Sequence, residues 1–142
     1  MYDLKFKRLH PDALLPTRAT DGSAGIDLYY CDTDIHLFPK ERCLFSTGWA
    51  VAIPKDRAGF IWPRSGMGVK SGIDRMAGLI DSDYRGEIRV LLINHSTVPL
   101  QIEYGQRIAQ LVIGPIDAVQ PVEVDELDDT ERGADGFGST GS

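Results

Sequence analysis

Only two cysteines occur in the 142 residues, Cys31 and Cys43. That is too few for a disulfide framework or a cysteine zinc site, and they read as two buried thiols in a reducing compartment. Histidine is equally scarce: His10, His36 and His95 stand singly, with no paired metal-ligand spacing. There is no Walker lysine loop and no CxxC. No apolar run approaches the roughly 20 residues of a membrane helix. The start, Met1-Tyr2-Asp3-Leu4-Lys5, lacks the charged-then-apolar layout of a signal peptide, so a cytoplasmic or other reducing intracellular location is expected. A basic surface for nucleic acid is also missing. The net charge is −6, and a tail from Pro121 onward accounts for all of it, with seven acids against the one base Arg132. The remainder carries 14 acids and 14 bases, so local arginines decide what it binds.

What is present is a single domain's worth of chain, 42% hydrophobic and 25% charged. Its dominant period is two. Tyr2, Leu4 and Phe6 alternate with polar residues, as do Leu100, Ile102 and Tyr104, while Trp49, Val51 and Ile53 share a face before Pro54. Ile88 to Ile93 and Ile108 to Ile113 are apolar in both phases, which predicts central strands covered on both sides. Turn signals recur at Asp21-Gly22, Pro39-Lys40, Asn94-His95-Ser96 and Gly105. The pattern predicts an all-β jelly-roll-like sandwich or barrel, with one weak helical stretch from Ser65 to Ile73. Residues 1–120 form the core, and residues 121–142 an acidic linker and Gly-rich tail that cannot easily bury itself.

Polar, glycine-bearing stretches carry the candidate chemistry. Ala24-Gly25-Ile26-Asp27-Leu28 puts an acid inside an apolar strand start. Pro63-Arg64-Ser65-Gly66 reads either as an ordinary turn or as a phosphate-binding set of Arg, hydroxyl and free amides. In Gly78-Leu79-Ile80-Asp81-Ser82-Asp83-Tyr84-Arg85-Gly86 the glycines permit a tight hairpin, its tip offering Asp81 to a water and Tyr84 to a flat ligand; the alternative is a solvated turn. Gly105 to Gln110 enters a buried strand, where Gln110 needs a partner. Arg132 to Gly141 reads as a flexible linker or as a closing flap, with Phe137 lone among glycines.

In this order the five stretches (AGIDL, PRSGMG, GLIDSDYRG, GQRIAQ and RGADGFGSTG) resemble the five motifs of the trimeric dUTP diphosphatase, or dUTPase, family. The resemblance implies a β-jelly-roll homotrimer with shared active sites that hydrolyses dUTP to dUMP and pyrophosphate with Mg²⁺. That activity keeps uracil out of DNA and supplies dUMP for thymidylate synthesis. By position, the resemblance makes Asp81 the residue that orients and deprotonates the attacking water. Arg64, Ser65, Gly66 and Gln110 hold the phosphates, and Asp27 reaches the metal through water. Tyr84 lies against the deoxyribose. The backbone of Gly78, Leu79 and Ile80 reads uracil in a slot too narrow for the thymine methyl, with Arg89 nearby. Phe137 stacks on the base, and Arg132, Ser139 and Thr140, with Gly138 between, close over the γ-phosphate.

Two positions depart from the family pattern. Asp135 stands where the tail motif usually has Gly, and Arg75 where some members carry an Asn that reads uracil. Base reading then rests on backbone groups alone, or Arg75 has another task. A related deaminase of dCTP places a catalytic Glu at a position that here is Leu91, and ammonia release from dCTP discriminates that reading. A non-catalytic nucleotide-binding jelly-roll is the remaining alternative, and turnover discriminates it.

Overall fold

A computed structural model of the chain describes residues 3–136. Eleven strands and one short helix follow in order: β1 (Lys5–Arg8), β2 (Ile26–Tyr29), β3 (Ile35–Leu37), β4 (Arg42–Ser46), β5 (Trp49–Ala52), β6 (Arg57–Trp62), α1 (Ser65–Ser71), β7 (Ile73–Met76), β8 (Leu79–Ile80), β9 (Arg89–Asn94), β10 (Leu100–Ile102) and β11 (Arg107–Pro115). Every strand pairing is antiparallel. The two larger sheets have the orders β2-β11-β6-β8 and β4-β9-β7, and two-stranded ladders β1-β5 and β3-β10 complete the fold. This is the expected β-architecture.

Leu28, Ile61, Ile80, Ile108 and Leu111 of the first sheet and Phe45, Ile73, Val90 and Leu92 of the second belong to one buried cluster. Each such side chain contributes about 1.5–3 kcal/mol on burial. Tyr30 meets Phe45 edge to face at 5.1 Å. The buried Asn94 is fully used: its Nδ2 donates to the carbonyls of Leu37 and Val98, and its Oδ1 accepts from the amide and hydroxyl of Ser96. Among the described residues no helix is long and apolar enough to cross a membrane.

Three expectations change. The runs through β9 and β11 are central in their sheets, but Leu91, Ile93, Val112 and Ile113 are only half-buried, so one face of each strand is incompletely covered by the chain itself. Cys31 is buried, whereas Cys43 is half-buried. The Gly78–Gly86 stretch is not a two-stranded hairpin. β7 pairs with β9, while β8 pairs with β6 in the other sheet. The chain therefore changes sheet at Ala77-Gly78, where both residues have positive φ, 56° and 111°. That geometry costs a non-glycine residue about 1–2 kcal/mol, so Ala77 is held there by its surroundings.

Candidate functional site

Two cavities gather the motif residues. The first, of about 280 Å³, is lined by Gly78, Leu79 and Ile80, by Asp81, Tyr84 and Arg89, and by Leu44, Ile61, Ala77, Glu87 and Ile88. β8 hangs its backbone on β6 through the pairs Gly59↔Ile80 and Phe60↔Leu79, and Ile61 N–H donates to Gly78 O at 2.7 Å. After β8 a turn closes through Tyr84 N–H to Asp81 O. Asp81 is exposed at the cavity edge, where it meets solvent. Tyr84 is fixed by its hydroxyl, which donates to Glu87 O at 3.0 Å. A Cβ on Gly86 would overlap that hydroxyl, so only glycine lets the ring lie where it does.

The second cavity, of about 260 Å³, is lined by Asp27, Arg64, Ser65, Gly66 and Gln110 with Ala19, Ser23 and Gly25. Three motifs far apart in sequence are bonded together here. Asp27, in β2, is 9% exposed, and its carboxylate meets Arg64 Nε at 3.2 Å and Arg107 Nη1 at 3.3 Å. The sequence pattern does not single out Arg107, whose tie to Asp27 brings it beside this cavity. Gln110, opposite both Asp27 and Trp62 in the ladders of β11, donates its Nε2 to Pro63 O at 3.1 Å. Its place depends on Gly25, where a Cβ would fall 2.5 Å from Gln110 Oε1. Arg64 precedes α1, and Ser65 and Gly66 open that helix with amides that no intrahelical carbonyl satisfies.

The donors present limit how Mg²⁺ could be held. Among the described residues no three His, Cys, Asp or Glu side chains cluster as a metal cage. Both oxygens of Asp27 already face guanidinium groups. Each keeps a further lone pair, which suits a metal-bound water better than the ion itself. The residues thus fit an ion carried mainly by phosphate and water.

The two cavities share no lining residue. Arg132 is exposed in the irregular segment after β11 and lines neither. Phe137, Gly138, Ser139 and Thr140 lie outside the described residues. Leu91 of β9 pairs with Leu44 of β4 and Met76 of β7, so an apolar ladder occupies the position where the deaminase has its acid. Leu44 and Leu79 are exposed large apolar residues lining the first cavity, Trp62 is one lining a cavity that adjoins it, and Met76 is one at the end of β7.

A family model described as dUTPase matches residues 12–141. The deoxyuridine 5'-triphosphate nucleotidohydrolase of Nautilia profundicola is 50% identical over 140 residues, covering 97% of this chain and 98% of its own. The protein of the same name from Nocardia farcinica is 47% identical, covering 97% and 85%. Among solved structures, a dUTPase of Staphylococcus bacteriophage 80alpha with dUpNHpp superposes with a TM-score of 0.93 at 29% identity, covering all of both chains. A dUTPase from phage phi11 of S. aureus, described with a structural Mg(II) ion, superposes at 0.83 with 25% identity, covering 90% of this chain and all of its own.

Proposed function

The chain belongs to the dUTPase family, and from that premise we propose that it hydrolyses dUTP to dUMP and pyrophosphate at sites shared between the subunits of a homotrimer. It is an enzyme, a deoxyuridine triphosphate nucleotidohydrolase. The observation that carries the shared-site reading is the division of the motifs between two separate cavities, one with the acid and one with the phosphate-binding turn. A neighbouring copy supplies what each lacks, and the exposed Leu44, Trp62, Met76 and Leu79 give it an apolar surface to cover.

In this reading Asp81 accepts the proton of the water that attacks the α-phosphorus, a role its exposed carboxylate suits. The backbone of Gly78, Leu79 and Ile80 pairs with uracil, and Tyr84 packs on the deoxyribose. Arg89 flanks the base, on the strength of its place in the cavity wall. Arg64, Ser65, Gly66 and Gln110 hold the phosphate chain in line, and positioning with charge neutralisation is most of what phosphoryl transfer asks of a protein. Bound Mg²⁺ would neutralise phosphate charge, with Asp27 reaching it through water. Asp27 also fixes Arg64. The tail from Arg132 through Phe137, Gly138, Ser139 and Thr140 closes over base and γ-phosphate. Closure excludes water, against an ordering cost on the order of 10–15 kcal/mol for about ten residues.

The test is pyrophosphate release from dUTP, dTTP, dCTP and UTP. Only dUTP should be cut efficiently, and Asp81→Ala should lose about 10²–10⁴-fold in turnover while still binding nucleotide. Mixing inactive Asp81→Ala and Arg64→Ala subunits should restore activity. Full turnover by Asp81→Ala, or no recovery on mixing, overturns the assignment.

A further inference from the structure

The turn at Ala77-Gly78 is a thin wall between two cavities. On one side lies the cavity of about 280 Å³ assigned to the base. On the other lies one of about 420 Å³, lined by Phe60, Trp62 and Arg75 and sharing Ile61, Ala77, Gly78 and Leu79 with the first. A backbone segment with open space behind it and an alanine in left-handed geometry will yield unless something props it. Pinning comes from both directions. Ile61 N–H holds Gly78 O from β6, and Arg75 Nη1 holds Ala77 O at 2.9 Å. The Arg75 guanidinium in turn lies over Trp62, 5.2 Å from the centre of its ring. Its stem comes close as well: a Cβ on Gly78 would be 3.5 Å from Arg75 Cδ. Arg75 Nε is buried without a hydrogen-bond partner among the described residues, so the side chain is held by the stack and by the one bond to Ala77 rather than by an ion pair.

We propose that Arg75 is a positioning residue for base selectivity: braced on Trp62 and bonded to Ala77 O, it keeps the Ala77-Gly78 turn from retreating into the cavity behind it, and so keeps the base slot too narrow for a 5-methyl pyrimidine. Arg75 touches no substrate; it acts through the backbone that reads the base. This rests on the assignment of the first cavity to a deoxyuridine nucleotide. Removing the brace leaves the turn room to move, the base pairs less well, and a methyl group gains space. A hydrophobic slot discriminates one methyl group by about 10–200-fold, so the brace has that range to act on.

The experiment compares wild type, Arg75→Ala, Arg75→Lys and Trp62→Ala on dUTP and dTTP, with amide hydrogen exchange at Ile61 read in parallel. Arg75→Ala should raise KM for dUTP about tenfold, change kcat much less, and lower the dUTP-to-dTTP preference by about tenfold. Arg75→Lys keeps a cation over Trp62 and one donor for Ala77 O, and should recover part of the preference. Trp62→Ala should shift both quantities in the same direction as Arg75→Ala. Exchange at Ile61 N–H, whose acceptor is Gly78 O, should quicken in Arg75→Ala. An unchanged KM and preference in folded Arg75→Ala overturns the proposal. Should Arg75→Ala not fold, unchanged KM and preference in Arg75→Lys and Trp62→Ala overturn it instead. If wild type cleaves no dUTP, the functional reading fails, and unchanged Ile61 exchange in the variants then removes the brace as well.

Discussion

Asp27 and Arg64, on β2 and at the entrance to α1, meet at 3.2 Å, and the same carboxylate holds Arg107 through its other oxygen. The acid is nearly buried while both arginines are partly exposed. Its removal leaves two cations that water can still reach, so the loss falls more on geometry than on stability.

Asp27→Asn should therefore lower stability by about 1–2 kcal/mol, read as the urea midpoint, because hydrogen bonds to a charged group are lost without stranding a buried charge. The effect on kcat/KM for dUTP should be larger, about 10–100-fold, since Arg64 loses the partner that aims it. A variant with wild-type kcat/KM would mean that Arg64 needs no aiming.

Gly86→Ala places a methyl where the Tyr84 ring and its hydroxyl stand. The ring must swing out, and it is an exposed side chain with room to do so. The melting temperature should change little, while the preference for dUTP over UTP should fall about tenfold as space opens beside the sugar. Parallel rate assays on the two nucleotides check this, and an unaltered ratio removes Tyr84 from sugar selection.

Alkaline pH should weaken the fold. Burial, reinforced by the Glu87 carboxylate, pushes the Cys31 thiol above its ordinary 9.0. Burial, with Asp32 next, pushes the Tyr30 phenol above 10.0. The folded chain thus retains protons that the unfolded chain has already released. This stabilisation is complete below the unfolded values and is lost as pH rises through the folded ones. Urea midpoints should hold between about pH 7 and 8.5 and then decline, and the decline should be shallower in Cys31→Ala.

The central strands and the anomalous residues within them are visible in the sequence. An acid at position 27 among apolar neighbours and a Gln at 110 in a buried run both demand partners, and both have them in Arg64 and Pro63. Of the weak helical stretch expected from Ser65 to Ile73, Ser65–Ser71 forms α1, which ends at the left-handed Gly72, and Ile73 instead opens β7. Arg107 stays hidden because its pairing with Asp27 depends on the β2-β11 register, which shifts between Arg107 and Ala109. The sheet change at Ala77 stays hidden for another reason: β8 has two residues, too few to carry a period, and its pairing with β6 is set by tertiary packing. The half-bare state of Leu91 and Ile93 is equally illegible, because hydrophobicity marks a face for burial without saying whose atoms bury it.

The carboxylate shared by Arg64 and Arg107 leaves one positive charge in surplus at the mouth of the second cavity. Residues 1–120 as a whole are electrically balanced, so this surplus is local, and a polyanion arriving from solution senses this spot and not the molecule's overall sign. Added salt shortens the reach of that attraction. Ionic strength should thus alter how often a nucleotide is captured at this spot more than it alters the bond-breaking step.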